Sequence, residues 1–246
     1  MNSDEYERMY SLEDSYWWFV GRHNLVLTFL EDIYKDRNDL TILDIGCGTG
    51  AMSEKLARFG KVVSADFSPL ALEFSRRRKL TRLCTADAMR LPFQDESFDV
   101  IVALDILEHL PDDEAALREF QRVLKPNGRV VASVPAYQSL WSAHDVALMH
   151  FRRYVARQLA QRFSSAHLKI QKLSYAMTLL FPIVWAVRQA GKMFAKKNAE
   201  PKASLVSVSP GANRTLVRLL NVENSVIRRL NLPFGVTVFC VAQKAS

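Results

Sequence analysis

Cysteine is scarce in this 246-residue sequence: its three copies, Cys47, Cys84 and Cys240, lie far apart. An odd number without metal-ligand spacing excludes a disulfide framework and a zinc module, and it suits a reducing cytoplasm. No metal is expected. The first residues, MNSDEYERMY, are acidic and lack an apolar run, so no signal peptide is expected. Long hydrophobic stretches are missing too. The most apolar segment, residues 173–187 (LSYAMTLLFPIVWAV), is too short and too interrupted by proline to read as a membrane span. Repeats and low-complexity tracts are absent. Acidic residues nearly vanish from the last two-fifths of the chain. Residues 151–246 hold 16 Lys and Arg against only Glu200 and Glu223, whereas residues 1–150 hold 17 basic against 24 acidic residues. The basic part therefore points to an anionic partner: a phosphate-bearing substrate, a membrane surface or nucleic acid.

What is present suits one α/β domain. Hydrophobic residues make up 49% and charged residues 24% of the chain, enough for a sizeable core. Residues 41–45 read as an apolar strand running into a glycine cluster, and 51–59 as a helix that stops at Gly60. A second strand is expected over 61–66, then a helix capped by Ser68 with Pro69 in its first turn. Residues 98–104 read as a buried strand, 112–124 as a helix, 126–128 as a turn and 129–134 as a strand. Such alternation predicts a parallel sheet with helices on both faces, with ligands bound at the carboxyl ends of its strands.

Several motifs fall on that edge. DIGCGTG, residues 44–50, places Gly46, Gly48 and Gly50 where the backbone must turn tightly and approach a ligand at a helix N-terminus. Nicotinamide and flavin proteins use a similar turn, so the loop alone leaves a dehydrogenase open. Asp66 ends the next strand, where a carboxylate accepts hydrogen bonds from ribose hydroxyls. Asp87, in TADAMRLPF, is placed to meet an adenine amino group. ALDILEHLPDD and LKPNGRV follow in order.

The set DIGCGTG, ADFSP, ADAMRLPFQDESFDVI, LEHL and LKPNGRV resembles the class I methyltransferases that use S-adenosylmethionine. Within them it is most similar to the ubiquinone- and menaquinone-biosynthesis branch, over roughly residues 40–135. The resemblance implies a Rossmann-like three-layer α/β sandwich with a seven-stranded, mostly parallel sheet whose last two strands form a hairpin. It implies that Asp44, Gly46, Cys47, Gly48 and Gly50 surround the methionine end of the cofactor. Asp66 and Phe67 would hold the ribose region, Asp87, Ala88 and Met89 would flank adenine, and Leu104 with Asp105 would lie near the sulfonium.

Methyl transfer requires donor and acceptor in line, and a hydroxyl acceptor benefits from a general base. His109 in LEHL is one candidate. The segment PAYQSLWSAHDVALMHFRRY supplies His144, His150 and Tyr154 as others, with Asp145 placed to orient a histidine. Before the first strand, SYWWFVGRHNL could fold over the cofactor, Trp17 or Trp18 covering the sulfonium and Arg22 pairing with its carboxylate. The plainer reading buries those aromatics, while Val26, Phe29, Leu30 and Ile33 continue an apolar stripe. The run Arg76-Arg77-Arg78-Lys79 reads as a solvated face.

Residues 1–39 are thus expected to form an N-terminal lid, 40–175 the cofactor core, 176–234 a helical insertion and 235–246 the final strand. The insertion would comprise an apolar helix flanked by Lys169, Lys172, Arg188, Lys192, Lys196 and Lys197, a polar linker (198–210) and a second helix (213–230). That second helix carries Leu216, Leu220, Ile227 and Leu230 on one stripe, with Glu223 oddly among them. It would roof an acceptor pocket, dip into an anionic membrane interface, or both. The expected activity is methyl transfer to oxygen, nitrogen or activated carbon of a small-molecule or lipid-like acceptor. The alternatives are a tRNA or protein methyltransferase using the basic face and a non-catalytic, cofactor-binding regulatory partner. Nucleic acid is the weaker partner, since no RNA-binding module accompanies the charge. A cytoplasmic protein with membrane association fits this reading.

Overall fold

The computed structural model describes residues 3–193 and 208–245, the side chains of 191–193 excepted. Two helices lead, α1 (Ser3–Leu12) and α2 (Trp17–Tyr34). Then come β1 (Leu40–Ile45), α3 (Ala51–Leu56), β2 (Gly60–Asp66), α4 (Pro69–Arg77), β3 (Leu83–Thr85), β4 (Phe98–Leu104), α5 (Asp113–Val123) and β5 (Leu124–Pro135). The remainder comprises α6 (Ala143–Ala147), α7 (Ala156–Ser165), β6 (Leu168–Ala176), α8 (Phe181–Met193), α9 (Pro210–Arg229) and β7 (Thr237–Lys244).

Among the described residues the strands form one seven-stranded sheet in the order β3-β2-β1-β4-β5-β7-β6. The pairs from β3 to β5 are parallel, and β7 runs antiparallel to both β5 and β6. Successive strand side chains point to opposite faces, and the sequence meets this with apolar residues throughout. Ile101 and Ala103 of β4 join Phe120 of α5 and Phe163 of α7. Their neighbours Val100 and Val102 join Val26 and Leu30 of α2, Leu56 of α3 and Ile227 of α9. The strand order reverses between β1 and β4, which opens a crevice at their carboxyl ends.

The observed fold is the expected three-layer sandwich, with local differences. The expected turn at 126–128 lies inside β5. There the register with β4 shifts between Phe98 and Val100, and Asn127 adopts a φ of 63°. Helix α3 ends at Leu56, and a 3-10 turn carries the chain to Phe59. Ser68 begins α4 without capping it through its side chain; Asp112, by contrast, accepts the Ala115 N–H at 2.9 Å.

Larger differences concern charge. Arg78 is not on a solvated face: its side chain is 7% exposed and bonds Asp14 (2.6 Å), Glu54 (3.1 Å) and the Thr49 carbonyl (3.0 Å). Arg188 of α8, expected as a membrane flank, turns inward to the Leu140 carbonyl (2.6 Å), Ser142 Oγ (3.0 Å) and Asp145 (3.2 Å). Lys172 donates to the Leu230 carbonyl at 3.0 Å. The expected flanking side chains of Lys192, Lys196 and Lys197, and most of the 198–210 linker, lie outside the described residues. On α9, Leu220, Glu223, Asn224 and Ile227 face inward, while Leu230 is 62% exposed rather than part of that stripe. Glu223 is explained: its carboxylate accepts the N–H groups of Thr178 (3.1 Å) and Leu179 (3.0 Å) and so ties α9 to the turn before α8.

Candidate active site

The crevice is built first by the glycine loop. Gly46, Gly48 and Gly50 have φ values of 73°, 55° and 88°, a region that side chains with a Cβ rarely enter. The Gly46 and Cys47 N–H groups donate to the Ala65 carbonyl, fixing the loop to the end of β2. Gly48 donates its N–H to Asp66 at 2.9 Å, and the same carboxylate accepts the Ser68 N–H at 2.8 Å. Below the loop, Asp44 is buried and accepts from Ser53 Oγ at 2.6 Å. Burial pushes its carboxyl up to about 7, so a cation bound nearby would favour its charged form. Burial likewise raises the Cys47 thiol, which leaves a small inert side chain in the loop.

The adjoining edge supplies the other expected groups. Phe67, immediately after Asp66, is 75% exposed, a large apolar face that the core does not use. Asp87 accepts the Met89 N–H at 2.8 Å, so this turn presents Asp87 and a half-buried Met89 around a buried Ala88. Leu104 is half-buried at the end of β4. Asp105 follows with a φ of 52°, accepts from Ser133 Oγ at 2.9 Å and pairs with Arg22 of α2. An acid–base pair thus spans the crevice beside the glycine loop. These groups together fit S-adenosylmethionine. Backbone approaches at the glycines, carboxylates stand at Asp66 and Asp87, Phe67 offers an open aromatic face, and Arg22 supplies a cation.

Within the N-terminal segment 1–39, it is α1 rather than the aromatic run at 16–19 that packs against the glycine loop. Helix α1 lies over the loop, and a Cβ placed on Gly48 would come within 2.7 Å of Met9 Cε. Tyr6 stacks on Phe74 of α4, Tyr10 meets the same ring at a tilt, and Glu13 accepts from the Thr49 hydroxyl. Trp17 and Trp18 instead pack edge to face with one another and join Met177, Leu180 and Leu220. Trp18 is therefore a packing residue between α2 and α9, the plainer of the two readings. No sequence signal marks α1, because its apolar residues are few and spaced among charges.

The candidate bases divide. Tyr154 is buried, and its hydroxyl donates to Asp113 (2.7 Å) and bonds the Leu107 carbonyl (3.2 Å); burial and the Asp113 charge raise its pKa. It is a tie beneath the 3-10 turn Leu107–His109, an unsuitable base. His144 is brought down to about 4 by burial and Arg188, and His109 to about 4 by burial and His150. His150 bonds Asp145 through Nδ1 at 3.0 Å, as the spacing suggested, and its ring meets that of His109 with centroids 4.6 Å apart. Sequence reasoning missed Glu108. It is fully buried and pushed by burial up to about 8. A glutamate inside a short LEHL turn gives no sign in sequence of pointing inward.

Comparison with known proteins bears on the ordered motifs and the fold. Residues 43–132 match the family model described as a methyltransferase domain, a span that runs from β1 into β5. The demethylmenaquinone methyltransferase of Tropheryma whipplei is 36% identical over 160 residues, covering 58% of this chain and 65% of that protein. The chain thus spans just under two thirds of that relative's length. A methyltransferase solved in complex with the Trm112 activator of Haloferax volcanii superposes with a TM-score of 0.62 at 20% identity. The match covers 99% of this chain and 94% of that one. A Haemonchus contortus phosphoethanolamine N-methyltransferase, solved with S-adenosylmethionine, gives 0.58 at 20% identity over 89% of this chain and 52% of its own. Residues 43–132 thus resemble a methyltransferase domain, as the ordered motifs implied.

Proposed function

We propose that this chain transfers a methyl group from S-adenosylmethionine to a small, lipid-like acceptor. The observation that carries the reading is the glycine loop locked to Asp66, because that pairing places backbone and carboxylate together at the β1–β4 crevice. When bound, the cofactor supplies an already activated methyl group, so alignment and exclusion of water are left to the protein. Gly46, Gly48 and Gly50 let the main chain come close to the methionine end. Asp66 and Asp87 receive hydroxyl and amino hydrogens, and Arg22 faces a carboxylate. Helix α1, held by Met9 and Glu13, keeps water from the loop.

The acceptor reading is supported by the second layer of the fold. The relative from Tropheryma whipplei is named for demethylmenaquinone. Here α8 and α9 carry exposed apolar groups, Ile183, Trp185 and Val187 on the first and Leu219, Val222 and Val226 on the second. Positions 219, 222 and 226 fall on one helical stripe flanking the buried one, and exposed stripes of this kind mark contact surfaces. Among the described residues no helix is long and apolar enough to cross a membrane. An interfacial contact beside basic residues therefore suits the insertion, and a lipid-like acceptor would enter there.

Calorimetric titration with S-adenosylmethionine, S-adenosylhomocysteine and NADH, each with and without anionic liposomes, tests this directly. Binding of the first two but not of NADH is expected, together with a liposome effect. NADH binding alone would overturn the reading. Asp66→Ala is expected to weaken S-adenosylmethionine binding by ~1–3 kcal/mol, roughly 5- to 150-fold. Asp66→Asn, which keeps one acceptor oxygen and the side-chain shape, disturbs the loop less than Asp66→Ala. Unchanged affinity in both variants would remove Asp66 from the site.

A further inference from the structure

Glu108 is buried completely, and neither carboxyl oxygen has a hydrogen-bond partner among the described residues. Burial of an unanswered carboxyl calls for an explanation, since either protonation state leaves polar atoms without partners. Two imidazoles stand beside it. Glu108, His109 and His150 each offer one ligand atom, and these atoms all lie within 4.8 Å of one another. The rings are already oriented. His150 spends Nδ1 on Asp145 at 3.0 Å, leaving Nε2, and its ring meets that of His109 edge to face. The chain joins the two segments as well, because the Phe151 N–H donates to the Glu108 carbonyl at 2.7 Å.

We propose that Glu108, His109 and His150 bind a divalent transition-metal ion, with Asp145 orienting the His150 imidazole. Two nitrogens and one carboxylate suit zinc, iron(II) or cobalt(II), whereas magnesium and calcium prefer oxygen. Ligating histidines characteristically give their second nitrogen to a carboxylate or a carbonyl, as His150 does. Of the nearby guanidinium groups, Arg22 pairs with Asp105, while Arg153 (2.7 Å) and Arg188 (3.2 Å) share Asp145. Three protein ligands leave further positions for water or an acceptor oxygen. The turn that carries Glu108 also borders the glycine loop, since a Cβ on Gly46 would lie 2.9 Å from Ile106 Cδ1. A role in holding and acidifying an acceptor hydroxyl rests on the methyl-transfer reading above; the binding itself does not.

The test is a cobalt(II) titration of the full chain followed by visible ligand-field absorption, with zinc binding measured by calorimetry. One equivalent of cobalt should give bands that zinc bleaches. Glu108→Gln, His109→Asn and His150→Asn should each weaken zinc binding by about 10-fold or more, while His167→Asn, at an exposed imidazole elsewhere, should bind as wild type. Should the variants fold poorly, the wild-type chain still decides: zinc must protect His109 and His150, but not His167, from carbethoxylation. Absence of stoichiometric binding, wild-type affinity in Glu108→Gln and His150→Asn, or absence of protection would overturn the site. Parallel titration with S-adenosylmethionine keeps the two readings apart. Cofactor binding without metal binding sinks only the metal site, and the reverse sinks only the methyl-transfer reading.

Discussion

Asp145→Ala should unfold this protein at a urea midpoint lower by the equivalent of about 3–5 kcal/mol, with an unchanged slope. The carboxylate is wholly buried and serves Arg153, His150, Arg188 and the Ser142 N–H together. Truncation leaves the Arg153 guanidinium, 2% exposed, without its counter-charge, and losing one partner of a buried pair costs more than never having had it. The same contacts predict a pH dependence. Burial opposes the Asp145 charge, but His150, Arg153 and the Ser142 N–H outweigh it and hold its pKa below the ordinary carboxylate range. A depressed acid contributes stability above its unfolded pKa and loses it as pH falls through the folded one. His109 and His144 act in the same direction: each is lowered from 6.5 to about 4, so their contribution is present above 6.5 and is lost between 6.5 and 4. Stability of the wild type should therefore decline on acidification from near pH 6.5, and the Asp145→Ala variant should lose the steepest, most acidic part of that decline. A flat profile between pH 7 and 4 would contradict the arrangement.

Arg78→Ala should cost about 2–3 kcal/mol, less than a fully enclosed pair because Asp14 and Glu54 are half in solvent. Its particular effect should be local. Arg78 joins the glycine loop, through the Thr49 carbonyl, to Asp14 and to the Tyr10 ring, with its guanidinium 4.7 Å from the ring centroid. Without it α1 should loosen, so amide exchange should accelerate over residues 3–14 before the sheet responds, and S-adenosylmethionine affinity should fall with it. Exchange in α1 that matches wild type would show that Met9 and the tyrosines suffice to hold the lid.

Residues whose role is set by a local backbone demand were legible in the sequence. The glycine loop, Asp66 after β2 and the apolar strands announce themselves because turn geometry and strand burial impose residue types at fixed spacings. Sequence spacing also suggested Asp145 beside a histidine. What escaped was tertiary. Arg76, Arg77 and Arg78 look alike as a run, yet Arg78 turns toward Asp14 and Glu13 because of how α1 returns across α4. Arg188 reads as the polar end of an apolar helix, yet the helix delivers it to Asp145. Trp18 and Glu108 show the same limit in opposite senses, an aromatic used for packing and an acid taken inward, since neither spacing nor propensity encodes which distant element will stand opposite.

The position of β7 has a consequence for how the molecule is made. It lies between β5 and β6, yet it follows both in the chain, with residues 136–236 separating it from the end of β5. During synthesis the parallel strands can assemble as they emerge, but the outer edge of β5 keeps its N–H and carbonyl groups open until β7 arrives. An apolar edge held open that long invites pairing with another chain. The long connection also makes closure of the sheet the slow, non-local step of folding. Substitutions in β7 should then reduce soluble yield out of proportion to their effect on the finished protein, because they prolong the interval in which β5 waits for its partner.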